Sequence, residues 1–223
     1  MNSGITQRLR RDRGSVLLSA LMIIVLITTL GAALGLLVST ELTAAANYEE
    51  SERALYAADA GIERAIGELR LLSAWARVPT PSSITSSSDF DDGQSVARAP
   101  DGLTLNLAQL TSRRQAESDT VYPTSPDRPV WHLFAHAPFD RIVPGVDAAS
   151  PYVVVWISDD VDEVDGDPAI DSNDVVVIHA EAFGIRGGRR AIEATIYREQ
   201  AMAAGLPGVI RSDVQVLAWH EVR

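Results

Sequence analysis

The residues best suited to chemistry in this chain are acids. Asp159, Asp160, Asp162, Glu163, Asp165, Asp167, Asp171, Asn173 and Asp174 crowd one short stretch between two strongly apolar runs. Carboxylates packed so closely repel one another unless a cation or solvent offsets them. Asp160, Asp162, Asp165, Asp167, Asp171 and Asn173 offer oxygen donors around the flexible Gly166. An all-oxygen set of this kind suits Ca²⁺, which takes roughly six to eight such ligands. The stretch is not an EF-hand, because the closing bidentate glutamate of that motif would fall on an apolar position. A solvated acidic hairpin loop accounts for the same composition, so two readings stand side by side. The chain has no cysteine to staple a long loop, and that favours calcium over the plain loop.

Other chemistries find less support. Paired carboxylates perform acid–base or two-metal catalysis only with a cleft and partners from other segments. The four histidines, His132, His136, His179 and His220, are scattered. His132 and His136 have an i,i+4 spacing that would suit zinc on a helix, but Val130–Ala135 reads as a strand. No Gly-x-Ser-x-Gly, P-loop or Rossmann glycine pattern is present, and no cysteine nucleophile. Arg113-Arg114 and Arg189-Arg190 read as solvated, or paired with the excess acid, rather than as phosphate sites. The formal charge of −11 argues against a nucleic-acid partner, since phosphate binding relies on clustered cations. Trp75, Trp131, Trp156 and Trp219 read as core or sheet-edge residues. The expectation is a protein that is not an enzyme.

The elements that must carry these residues begin with a membrane-length segment. Val16–Val38 holds no charged residue and follows Arg8, Arg10, Arg11, Asp12 and Arg13. A helix needs about 20 apolar residues to cross a hydrocarbon core, and a basic block in front of it keeps the N-terminus cytoplasmic. The run is longer than the apolar core of a secretory signal, about 7–15 residues. Gly31 and Gly35 form a GxxxG spacing that lets helices approach closely, although glycine and alanine are common in any span. From Glu41 to Trp75 there is no proline, and Leu55, Ala58, Ile62, Ala65, Leu69 and Leu72 line one helical face. The spacing therefore predicts one helix over Ser15–Ser73, ended by Pro79 and Pro81 and followed by the loop-like Ser82–Ser88 and Asp89–Gly93. Strands are expected at Leu103–Leu107, Val130–Ala135, Tyr152–Ser158, Val175–Phe183, Ala191–Tyr197 and Val214–Trp219, with a hairpin turn at Gly187-Gly188 and a loop over Arg113–Arg128. The predicted class is α+β: a long N-terminal helix, membrane-spanning in its first half and amphipathic in its second, packed on an antiparallel sheet. The boundaries are 1–14 as a leader, 15–75 as the helix with 16–38 as the span, and 76–223 as a β-rich head.

A charged leader ending in glycine, then an apolar helix that continues as an amphipathic one, resembles the layout of type IV pilins and pseudopilins. The leader end reads Arg11-Asp12-Arg13-Gly14, followed by Ser15-Val16-Leu17-Leu18-Ser19. The stretch Glu52-Arg53-Ala54-Leu55-Tyr56-Ala57-Ala58-Asp59-Ala60-Gly61-Ile62-Glu63-Arg64-Ala65 is similar to an alanine-rich segment of minor pilins of the PilX kind. The match covers Arg13–Leu72, with a looser likeness over Ile157–Arg198.

This resemblance implies a type IV pilin-like fold and processing between Gly14 and Ser15 by a prepilin peptidase, usually with methylation of the new amine. Residues 1–14 carry four arginines and one aspartate, so removing their net +3 from −11 leaves a mature chain at −14. The implied partners are other major and minor pilins and the inner-membrane assembly platform. The implied location is the inner membrane with a periplasmic head, then a pilus or pseudopilus. Major subunits usually carry a glutamate five residues into the mature chain, where it pairs with a neighbour's amine. Here that position is Ser19, which neutralises no ammonium, and this points to a priming or tip role. A type II secretion pseudopilin of the K-like tip kind and an uncleaved membrane-anchored binding domain are the alternatives.

Overall fold

The computed structural model describes residues 3–72, 75, 90–125, 128–145, 150–163, 166–202 and 210–222, with side chains for all of these except 3–14, 201–202 and 210–212. The chain divides into two units, Met1–Tyr48 and Glu49–Arg223. Helix α1, Ser3–Leu69, contributes to both.

Within the first unit, every side chain from Ser15 to Ala45 is exposed. This is the one helix among the described residues that is long and apolar enough to cross a membrane. Most of its hydroxyl side chains close on their own backbone. Thr28 Oγ1 donates to the Ile24 carbonyl at 2.8 Å and Thr40 Oγ1 to that of Leu36 at 2.9 Å. Such internal closure is what a lipid environment requires of a polar group.

The second unit is built on an antiparallel sheet in the order β3-β4-β5-β6-β7. The strands are β3 (His132–Pro138), β4 (Tyr152–Asp159), β5 (Val175–Phe183), β6 (Arg189–Met202) and β7 (Ile210–Val222). Neighbours in space are neighbours in sequence, so each connection only reverses the chain. One face is covered by the end of α1. Ala54, Ala57, Ala58, Ile62, Ala65, Ile66 and Leu69 are buried there with Val153, Val155, Ile157, Ile178, Ala180, Ile192 and Ile196. Each large aliphatic side chain removed from water in this way contributes roughly 1.5–3 kcal/mol. Small residues on α1 let the helix lie close to the strands, and Gly61 is the extreme case. A Cβ added at Gly61 would sit 2.7 Å from Val153 Cγ1 and 3.3 Å from Val155 Cγ2.

The opposite face of the sheet is covered too. Helix α2 (Leu107–Val121) and the two-stranded ribbon of β1 (Val96–Arg98) and β2 (Thr104–Asn106) lie over it. There Ala97, Leu105, Leu107, Leu110 and Trp131 bury Tyr152, Val154, Trp156 and Phe183. Residues of β4 alternate between the two cores, which is why the whole strand is apolar or buried.

Helix α2 corrects the sequence expectation that Arg113–Arg128 is a loop, whereas the strand expected at Leu103–Leu107 is present as β2 and ends where the helix begins at Leu107. Asn106 caps the helix, its side-chain oxygen accepting from Gln109 N at 3.0 Å. Pro123 follows its last turn. Two further boundaries differ. Helix α1 stops at Leu69 rather than Ser73, and the next turns tighten, with Leu71 N donating to Glu68 O and Leu72 N to Leu69 O. The indole of the fully buried Trp75 also donates to Leu69 O at 3.1 Å. Pro79, Pro81 and Ser82–Ser88 lie outside the described residues. The β5–β6 reversal is a short 3-10 turn over Ile185–Gly187, with Arg186 and Gly187 left-handed, rather than a two-residue turn at Gly187-Gly188.

Candidate functional site

The acidic stretch joins β4 to β5, and the structure sorts its residues into two groups. Asp159 is the last residue of β4 and lies opposite Val176 in the ladder. It is only 3% exposed, Asp160 7%, Glu163 6% and Asp171 3%. Carboxylate oxygens of Asp159, Asp160 and Glu163 all lie within 4.8 Å of one another. Asp162, Asp167 and Asn173 face solvent, and Asp165 lies outside the described residues. Of the five described members of the expected ligand set, Asp160 and Asp171 are buried and Asp162, Asp167 and Asn173 are exposed. Asp160 and Asp171 are buried with Asp159 and Glu163, two acids absent from that set.

Backbone and amide donors hold the group in place. Asp159 Oδ1 accepts from Asp160 N at 3.1 Å, and Asp160 Oδ2 from Asp162 N at 3.1 Å. Asn173 Nδ2 donates to Asp160 Oδ1 at 2.8 Å, so the exposed asparagine works as a clamp. Ser172 donates to Glu163 Oε1 through both its backbone N, at 2.7 Å, and its hydroxyl. Asp171 Oδ1 accepts from Asn173 N at 3.2 Å and Val175 N at 3.3 Å. Two oxygens are left over, Glu163 Oε2 and Asp171 Oδ2, both buried without a hydrogen-bond partner.

The electrostatics follow from this crowding. Burial, then the charge and hydrogen bond of Glu163 and the charge of Asp171, push the Asp159 carboxyl up to about 8. Burial is also the main reason that Asp171 rises to about 6, with backbone hydrogen bonds opposing and the Asp174 and Glu163 charges adding. Asp174 belongs elsewhere. It adopts a left-handed φ of 62° and pairs with the buried Arg198, whose guanidinium lies 5.4 Å from the centre of the Trp75 ring.

Several other acids of the head are paired with cations inside it. Glu181, buried on β5, is held by Arg113 at 3.1 Å and by Arg189. Glu193 takes Arg114 and His179, and Arg190 reaches Glu221 at 2.7 Å. The two arginine pairs are thus bound to acids, as their setting in an acidic chain suggests. Burial lowers the His179 imidazole between Trp131 and Trp156, against the raising effect of Glu193. Glu193 is below the usual carboxylate range: burial works to raise it, but the His179 hydrogen bond and the Arg114 charge outweigh that.

A second mixed cluster was invisible in the sequence, because its members come from distant segments. His136 contacts Asp91 through Nε2 and Asp92 through Nδ1, both at 3.1 Å. Tyr152 completes it, donating to Asp92 Oδ2 at 2.8 Å and lying 2.9 Å from His136 Nδ1. Burial and the Asp92 hydrogen bond raise the tyrosine, which stays a phenol. His132 takes no part in this cluster. On β3 its Cα is about 13 Å from that of His136, at roughly 3.3 Å per residue.

At the other end of the chain, Gly14 and Ser15 lie inside α1. Ser19 Oγ donates to the Ser15 carbonyl at 3.0 Å, so its polarity is spent within its own helix. No family model matches this chain, and no curated protein or solved structure matches it.

Proposed function

We propose that this chain is a non-enzymatic minor subunit of a type IV filament, of the PilX-like kind, that primes assembly or sits at the tip. The observation that carries the reading is the pair of surfaces on α1. Residues 16–38 present an uncharged, exposed apolar surface, while the alanine-rich stripe from Ala54 to Leu69 is buried against an antiparallel sheet. A helix used only as an anchor needs the first surface, whereas a filament subunit needs both, one to leave lipid for neighbouring helices and one to carry a rigid head. The partners are other pilins, the inner-membrane assembly platform and a prepilin peptidase acting between Gly14 and Ser15. Since that bond lies inside α1, the residues around it must unwind for cleavage. Gly14 favours this, because glycine costs a helix about 1 kcal/mol relative to alanine and offers an extended-backbone enzyme no side chain to clear. Ser19, closed on its own backbone, leaves a neighbour's ammonium unmatched and suits a subunit at a filament end.

The test is a Gly14→Val change, followed by blotting of membrane and sheared-filament fractions. The expected result is an uncleaved precursor that stays in the membrane and is lost from filaments. Normal size and distribution of the variant would support an uncleaved anchored domain instead.

A further inference from the structure

We propose that the β4–β5 junction is a divalent-cation site, of the calcium class, formed by Asp159, Asp160 and Glu163 with Asp171 closing it. The distances suit the ion. Two oxygens bound to Ca²⁺ at about 2.3–2.6 Å lie up to roughly 5 Å apart across it, and the three carboxylates offer oxygens within 4.8 Å of one another. Oxygen-only donors favour a hard cation over zinc or copper.

Acid density alone would not carry this. The independent observation is the pair of orphaned oxygens, Glu163 Oε2 and Asp171 Oδ2, each on a side chain more than nine-tenths buried. Buried polar atoms are almost always satisfied, and among the described residues no N–H or hydroxyl group donates to these two; the Asp159 carboxyl reaches Glu163 only by sharing a proton between two acids. Nor does any arginine or histidine among the described residues pair with Asp159, Asp160, Glu163 or Asp171, although Glu181, Glu193 and Asp174 each have such a partner. The fold neutralises its other buried acids internally and leaves this group to something outside the chain. The Asp91–Asp92–His136 group makes the contrast, since an imidazole lies 3.1 Å from both carboxylates and Tyr152 donates to Asp92. The site does not depend on the filament reading and stands whether or not Gly14 is processed.

The experiment is calcium titration of the full chain in detergent micelles, following thermal melting and heat of binding. Calcium at about a hundred times its Kd should raise Tm by roughly 5–10 °C over the EGTA-treated protein, with magnesium giving less. Glu163→Gln should remove the shift, and in EGTA should melt no lower than the parent because one uncompensated charge is gone. Asp167→Asn, on an exposed residue outside the cluster, should keep the full shift. No binding heat and no shift up to about 10 mM calcium overturn the proposal, and so does a shift that survives Glu163→Gln.

Discussion

Two stretches of the same helix make opposite use of apolar residues. Residues 16–38 are apolar on every side and bury nothing inside the chain, with Leu17, Met22 and Leu26 all more than 60% exposed. Residues 54–69 gather most of their apolar groups on one face, and that face is buried on the sheet. The difference teaches that hydrophobicity by itself does not say what a helix packs on. An all-round apolar helix wants a medium or partners beyond its own chain, while a striped one wants a single internal surface.

That contrast can be broken at several points. The largest effect is expected from truncating the striped half. Ile62→Ala should destabilise the head by about 2–5 kcal/mol, read by urea unfolding of the full chain in detergent with tryptophan fluorescence. Leu26→Ala should leave that transition within about 0.5 kcal/mol of the parent. Equal losses in the two variants would contradict the contrast. Next comes a charge in the span. Leu26→Arg should cost about 2.5–3.5 kcal/mol of insertion free energy and move protein out of the carbonate-resistant membrane fraction, without changing the urea midpoint of whatever folds. Glycines give a smaller effect. Gly61→Ala forces a methyl against Val153, a branched side chain with little room to rotate, and should cost about 1–3 kcal/mol. At Gly31 and Gly35 an added Cβ meets nothing within 4 Å, so alanine there should leave the melting of the head unchanged.

The smallest effect separates the stretches by pH. Residues 16–38 contain no ionisable side chain, so pH-dependent unfolding belongs to the head. His179 is held below its ordinary 6.5 by burial. Its unfolded form therefore takes up a proton first, and stability present above pH 6.5 is lost as pH falls toward the folded value. Glu193, held below its usual range, adds a loss that begins below about 4.5. Asp159 and Asp171, raised to about 8 and about 6, take up protons in the folded form over the same interval and act in the opposite direction. The test is therefore a difference: between pH 7 and pH 5 the urea midpoint should fall further, or rise less, in the parent than in His179→Gln. The same pH dependence in the parent and in His179→Gln over that interval would remove His179 from the account.

Much of the fold is legible in the sequence where one physical signal dominates. Val175–Phe183 reads as a strand from its β-branched run, and its bounds in the structure are the same. The stripe from Leu55 to Leu69 marks the face of α1 that packs on the sheet, because its 3–4 spacing keeps those residues on one side. Helix α2 is not legible. It buries only Leu107, Leu110 and Ser118, and its arginines are placed by Glu181 and Glu193 on strands far along the chain. The reason for Gly61 is likewise tertiary, since only the packed sheet shows what a side chain there would strike. The acidic site is half legible. Its crowding is plain in composition, yet which acids face inward depends on where β4 ends, and that puts Asp159 and Glu163 inside and Asp162 and Asp167 outside.

The central claim is that residues 16–38 begin a processed subunit rather than anchor a whole chain. It is tested most directly by the intact mass of the protein purified from membranes of a cell carrying a prepilin peptidase. The account predicts a chain that starts at Ser15 with one added methyl group on its amine. A mass that retains residues 1–14 in such cells contradicts it.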